Sequence, residues 1–208
     1  MQIQQLAKNL TGELPGMTVQ SAMSPAGTDT SKYYDVPGDA KKAAVMLLLY
    51  EKNDDWHTAF IKRTFNQNDR HSGQISFPGG RLENQDASLE ACAIRETNEE
   101  IGIDQSSIEV LGQMSNLYVF ASDYLVFPFV GYIKDLTSFV RQPSEVEEVL
   151  QIPMSYLTRH DIIKTKSMNL GKYHLRHVPY YDLYGEILWG ATAMMVAEFL
   201  YIWKKAYA

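Results

Sequence analysis

The chain contains one cysteine, Cys92, among 208 residues, so no intrachain disulfide can form. A reducing compartment is the simpler expectation. Positive charge is also scarce: 19 Lys and Arg stand against 25 Asp and Glu, a formal net charge of −6, with no basic run. That excludes a protein living on nucleic-acid backbone, whose binding depends on displacing counterions. Long hydrophobic runs are missing too. The longest apolar stretches, residues 43–50 and 188–203, are too short or too interrupted to span a bilayer. The opening MQIQQLAKNLTGELPG lacks the basic start and apolar core of a signal peptide. There is no internal repeat and no low-complexity tract. These absences leave a soluble cytoplasmic protein, without nucleic-acid or membrane partners, as the expectation.

What is present suits a globular domain. Hydrophobic residues make up 45% and charged residues 21%, enough to bury a core. Residues 1–40 differ from the rest: an amphipathic start runs into SAMSPAGTDTSKYYDVPGDA, which predicts an irregular extension laid over a domain spanning 41–208. The body opens with AAVMLLLY (43–50), a strand-length apolar run. Turn residues 52–55 and the alternating WHTAFIKR (56–63) follow, so a hairpin is predicted. Short or β-rich segments at 74–77, 108–117, 124–133 and VEEVLQIP read as strands. A helical turn is expected at MSYL, a further hairpin over 168–181 and an amphipathic helix over 191–204. Residues 88–101 read as a helix with Ser88 as N-cap and Gly102 as its stop. Strands mixed with helices, without strict βαβ alternation, point to an α+β sandwich.

The chemistry concentrates in GRLENQDASLEACAIRETNEEIGI, residues 80–103. On a wheel advancing about 100° per residue, with Glu96 at the origin, Glu99 lies at about −60° and Glu100 at about +40°. Three carboxylates therefore share a narrow face, with Arg95 on its flank and Ile94 and Ile101 opposite. Like charges this close on a helix are unfavourable unless a cation offsets them. Hard divalent cations take such oxygen ligands, and Mg²⁺ combines a few carboxylates with waters and substrate phosphates. Taken alone, an acidic ExxEE is more often a solvated helix face. Cys92, about one turn before Glu96, reads as core packing.

The wider pattern resembles the Nudix box: Arg95, Glu96, Glu99, Glu100, Gly102 and Ile103 match in register, and Gly80 with Asp86 match its opening. Two positions depart from it. Thr97 fills an apolar slot, and Asp86 is one residue further from Arg95 than usual, so either Glu83 or Asp86 supplies the acid before the helix. The resemblance implies an α/β/α sandwich with a mixed sheet in a single domain. It also implies Glu96 and Glu100 as principal metal ligands and Glu99 as a further ligand or base, with Arg95 orienting the carboxylates and Mg²⁺ or Mn²⁺ as cofactor. Immediately upstream, RHSGQISFPGG (70–80), together with LLLY and FIKRT, resembles the coenzyme A pyrophosphatase branch of these hydrolases. So do SDYLVFPFVGYI, EVEEVLQIPMSYL and ILWGATAMM downstream. Gly73, Gly79 and Gly80 allow close backbone approach to a ligand. Arg63, Arg70, His71, Gly79 and Gly80 are the implied substrate contacts. Arg63 and residues 71–80 match that branch, but Thr64 replaces the usual serine and the loop between them is a residue longer, so the arginine role expected there either falls to Arg70 or is absent. WGATAMM reads as a core helix.

The function implied by the resemblance is metal-dependent hydrolysis of the diphosphate of coenzyme A or its derivatives, giving 3′,5′-ADP and 4′-phosphopantetheine. The base is Glu99 or one of Glu145, Glu147 and Glu148. The partner is a small-molecule diphosphate, and a homodimer is compatible with the sequence. The rival readings are a Nudix hydrolase of ADP-ribose or a dinucleotide and, from a different class, a Nudix-like binding module without turnover. The complete set Arg95, Glu96, Glu99 and Glu100 argues against the latter.

Overall fold

In the computed structural model, which describes residues 2–66, 72–170 and 173–207, the apolar run expected as a strand becomes β1 (Lys41–Lys52), the axis of the main sheet. It reverses through Asn53 and Asp54, both with positive φ (54° and 60°), the conformation of a two-residue hairpin turn. The returning strand is β2 (Asp55–Arg63), in register from Lys52↔Asp55 to Leu49↔Thr58. Two short strands follow, β3 (Ile75–Ser76) on β2 and β4 (Gly79–Arg81) on β1. Helix α1 is Gln2–Leu10 and α2 is Met17–Gln20; the helix carrying the carboxylates, α3, spans Leu89–Ile101. Next come β5 (Glu109–Gln113), β6 (Leu117–Val119), β7 (Tyr124–Ile133), β8 (Val146–Pro153) and the turn of helix α4 (Met154–Leu157). The chain closes with β9 (Ile163–Leu170), β10 (Tyr173–Leu183), β11 (Glu186–Trp189) and α5 (Gly190–Tyr207).

The main sheet runs β3-β2-β1-β7-β5, with β4, β6 and β8 pairing on β1, β7 and β2. Because β7 lies parallel to β1 while β2 is antiparallel, the sheet is mixed. Both faces of β1 are covered, which is why its sequence is continuously apolar rather than alternating. Ala44, Met46, Leu48 and Tyr50 meet Cys92, Ala93 and Ile101 of α3. Leu47 and Leu49 belong to the other core, with Val196 and Phe199 of α5. The α/β/α sandwich expected from the sequence is thus present. A smaller sheet, β11-β10-β9, contains the expected hairpin. Among the described residues no helix is long and apolar enough to cross a membrane.

Three features differ from the expectations. The strand read over 108–117 divides into β5 and β6, with a register shift between Val110 and Gly112. Gly112 has φ +156°, and a Cβ there would run into Leu10 of α1, a packing constraint with no local signature. β4 consists largely of Gly79 and Gly80, expected to approach a ligand and not to form a strand. Residues 1–40 are not merely an irregular cover: Leu6, Leu10 and Met23 are buried in the core beside α5. Glu198 of α5, fully buried, accepts hydrogen bonds from Gly16 N–H (3.1 Å) and Gln20 Nε2 (2.7 Å).

Candidate active site

Helix α3 is fixed at both ends by its own sequence. Ser88 Oγ accepts the Ala91 N–H at 3.0 Å, the expected N-cap. Gly102 adopts φ +70° and donates to the Asn98 carbonyl, an ending that favours glycine. The last carbonyls are then met from outside: Gln142 N–H donates to Glu100 O and Val140 N–H to Ile101 O, each at 2.9 Å. Thr97, the polar residue in an apolar slot, is fully buried and donates to the Ala93 carbonyl at 2.7 Å, so the helix itself satisfies the hydroxyl.

The carboxylates fall into two groups. Arg95 grips Asp86 through two bonds, Nε to Oδ1 at 2.8 Å and Nη2 to Oδ2 at 2.9 Å. Its Nη1 also donates to Glu96 Oε1 and Glu99 Oε2, both at 2.9 Å. Forked contacts of this kind are strong and fix geometry. They hold the Asp86 carboxyl down at about 2, with the Glu83 N–H helping, and push the guanidinium further up. Of the two acids before the helix, Asp86 is the one joined to the cluster through Arg95; Glu83 is exposed.

Glu100 belongs to the second group. Its side chain is 2% exposed, against 13% for Glu96 and 54% for Glu99. Gly79 N–H donates to Glu100 Oε2 at 2.9 Å, and Arg63 Nη1 stands 3.7 Å from Oε1. Burial pushes the Glu100 carboxyl up to about 8, against the opposing pull of the Gly79 N–H and Arg63. Burial likewise raises Glu96, with Arg95 opposing, and Glu145 pushes both of them upward. Thus the helix face read from the sequence carries three carboxylates in three environments.

Two glycines bring β4 against this face. Gly79 has φ +153°, and a Cβ on it would collide with the backbone of Ala44 and Val45. A Cβ on Gly80 would land on the Glu96 carboxylate. Cys92 is buried, as expected. Its Sγ lies 3.4 Å from the Arg81 carbonyl, and burial, then Asp86, raises the thiol to about 12, which keeps it inert. Glu147 is committed to Lys62 at 3.3 Å, and Lys62 also binds Glu186 at 2.9 Å. Glu145, just before β8, lies close enough for its charge to push on both Glu96 and Glu100. Arg70 and His71 lie outside the described residues.

Among the described residues no three His, Cys, Asp or Glu side chains gather tightly enough to enclose a metal ion by themselves. A Mg²⁺-type site does not need such a cage, because waters and substrate phosphates complete the shell. The donor set fits: hard carboxylate oxygens, two of them in half-buried or buried positions where net negative charge is unfavourable. A cavity of about 610 Å³ elsewhere, between residues 50–52, 136–141 and β8, is lined by none of the α3 carboxylates.

Two roles in this cluster were not legible in the sequence. Gly79, expected to approach the substrate, donates its amide to Glu100, and Glu145, one of three acids offered as a base, meets α3 only through the fold.

Comparison with known proteins places this arrangement in context. The model of the NUDIX domain family matches residues 40–177. A protein of Photorhabdus laumondii described as "Uncharacterized Nudix hydrolase NudL" is 32% identical over 137 residues, covering 62% of this chain and 67% of that protein. "Nudix hydrolase 15, mitochondrial" of Arabidopsis thaliana is 30% identical over 183 residues, 84% of this chain but 61% of the relative. The chain thus spans less than two thirds of that relative's length. A solved structure of a MutT/nudix family protein from Enterococcus faecalis superposes with a TM-score of 0.51 over 87% of this chain and 70% of that one, at 16% identity. The fold is shared; the last comparison carries no more than that.

Proposed function

Because this chain belongs to the Nudix family, we propose that it is a metal-dependent pyrophosphohydrolase that cleaves the diphosphate of coenzyme A or a derivative. The observation that carries the reading is the joint anchoring of the carboxylates. Arg95 fixes Asp86, Glu96 and Glu99, while the Gly79 amide fixes Glu100. Gly79 belongs to the segment whose sequence resembles the coenzyme A branch, so the substrate-reading loop and the catalytic helix meet at one hydrogen bond.

Nudix hydrolases generally use divalent ions such as Mg²⁺ or Mn²⁺, and Glu96 and Glu100, with Glu99, are the residues that would hold one here. Such an ion, when bound, neutralises diphosphate charge and lowers the pKa of a bound water. The chain supplies the rest. Arg95 keeps Glu96 and Glu99 from swinging into solvent, which preserves their aim at the substrate. Arg63, reaching the site from β2, adds positive charge beside Glu100 for a phosphate oxygen. Glu99, the most exposed of the three, takes the proton of the attacking water. The Gly80 backbone, lacking a side chain, leaves the Glu96 carboxylate in place.

The test is product identification. Purified protein is incubated with coenzyme A, dephospho-coenzyme A, ADP-ribose and a dinucleoside polyphosphate, each with Mg²⁺ or Mn²⁺. The expected products from coenzyme A are 3′,5′-ADP and 4′-phosphopantetheine, with the highest kcat/KM of the panel. Full turnover in excess chelator overturns the metal assignment. A higher kcat/KM for ADP-ribose overturns the coenzyme A assignment and leaves a Nudix hydrolase of another diphosphate.

A further inference from the structure

A cleft of about 230 Å³ separates the stretch from Gly73 to Ile75 from the smaller sheet, where Lys166, Met168, Glu186, Ile187 and Trp189 line it. The strand register explains why apolar side chains face this space. Tyr181 and Leu188 are cross-strand partners, and both are buried in the core. The adjacent pair, Tyr180 and Trp189, therefore points to the opposite face of the sheet, and Ile187 shares that face. On an outward face, alternation ordinarily supplies polar residues. Here a tryptophan and an isoleucine stand half-buried beside Met168 of β9.

The cleft and the carboxylate cluster flank the same strand end. Consecutive residues of β2 diverge: Arg63 approaches Glu100, whereas Lys62 binds Glu186 at the rim of the cleft. The backbone joins the two regions as well. Arg63 N–H donates to Gln74 O at 3.0 Å, and Gly73 N–H donates to Arg63 O at 3.2 Å. The end of β2 thus adjoins both the carboxylates and the cleft.

The volume falls below the roughly 300–1,000 Å³ of pockets that enclose a whole drug-sized ligand, so the cleft suits one arm of a larger molecule. Its walls are a thioether, an aliphatic side chain and an indole, while Lys166 and Glu186 offer a donor and an acceptor. Glu186 disfavours a second phosphate here. An aliphatic arm with amide groups matches both the apolar walls and the paired polar rim. We propose that the cleft is the subsite for the amide-bearing aliphatic arm of the substrate, the pantetheine end, an inference that rests on the coenzyme A activity proposed above.

The experiment compares the wild-type chain with the double variant Met168→Ala, Ile187→Ala on two substrates. Dephospho-coenzyme A carries the arm and ADP-ribose lacks it. The variant should lose about tenfold or more in kcat/KM for dephospho-coenzyme A, mainly through KM, the scale set by a few lost methyl contacts. For ADP-ribose the change should stay within about twofold. Equal losses on both substrates, or none on either, overturn the subsite while leaving the hydrolase activity standing. A second measurement does not depend on turnover. 4′-Phosphopantetheine alone is titrated into the protein, and the indole N–H resonance of Trp189, assigned through Trp189→Phe, is followed. A shift that the double variant abolishes supports the subsite even if no diphosphate is hydrolysed; no shift at millimolar concentration overturns it. A concentration-dependent shift without ligand, accompanied by dimer in sedimentation, means that a second copy covers this face and also overturns it.

Discussion

Gly80 and Glu96 approach so closely that a Cβ on the glycine would occupy the space of the glutamate carboxylate. The obstructed group is the end of a flexible side chain, so folding tolerates the change, but the Arg95 clamp does not permit Glu96 to move without cost to its aim. Gly80→Ala should therefore lower stability by less than about 1 kcal/mol and lower kcat by about tenfold or more. Thermal unfolding and steady-state kinetics on the same preparation check this. Matched losses in both would reduce Gly80 to a structural residue.

Glu100 and Glu99 should respond differently to removal of charge. Glu100→Gln keeps an oxygen for the Gly79 amide and removes a carboxyl whose charged form burial disfavours, so the chelated protein at neutral pH should be as stable as wild type or more so. Activity should fall by more than the roughly 10–100-fold that loss of a supporting contact costs. Glu99→Gln should cost about 10²–10⁴-fold in kcat, the span for a lost general base. Near-normal turnover in both variants would remove these carboxylates from the catalytic machinery.

The clamp between Arg95 and Asp86 has a signature in acid. Asp86 is held at about 2, below its ordinary value of 3.8. A depressed carboxyl stabilises the fold above its unfolded pKa, and that stability is lost as pH falls from about 4 to about 2. Wild type should exceed Asp86→Asn by on the order of 1–2 kcal/mol at pH 6, allowing for solvent at the rim. The difference should close near pH 2. Urea titrations across this range decide it; a gap independent of pH would mean that the carboxylate charge is not what Arg95 holds.

Glu198 offers a stability test remote from the carboxylates of α3. Glu198→Ala leaves Gly16 N–H without its partner and Gln20 Nε2 with only the Ser115 carbonyl at 3.4 Å, at a cost of about 1–3 kcal/mol. Activity per folded molecule should be unchanged below the melting transition. A variant as stable as wild type would show that the tie contributes nothing.

The readable part of this protein was its local part. The limits of α3 follow from Ser88 and Gly102, and the wheel placed Glu96, Glu99 and Glu100 together because a helix fixes angular positions within a few residues. β7 is a run of β-branched and aromatic residues with matching limits. What the wheel could not show is depth. Only the sheet beneath α3 makes Glu100 buried and Glu99 exposed, and only the pairing of β4 on β1 brings the Gly79 amide to Glu100. Gly112, inside β5, follows a register shift in the pairing with β7, and the Leu10 that packs against it comes from about a hundred residues away. Glu198 reads as one polar residue in an apolar helix, and its partners are near the other end of the chain.

That last tie bears on how the protein can be dissected. The matched family region ends at residue 177, yet Leu6, Leu10 and Met23 on one side, and Val196, Phe199 and Trp203 on the other, fill the same core. An excised fragment restricted to residues 40–177 would strip one whole face of β1, leaving Leu47 and Leu49 open to water. Such a fragment would aggregate through that face rather than report on catalysis. The segments flanking the recognisable motif are therefore its second wall, and fragment boundaries should respect them.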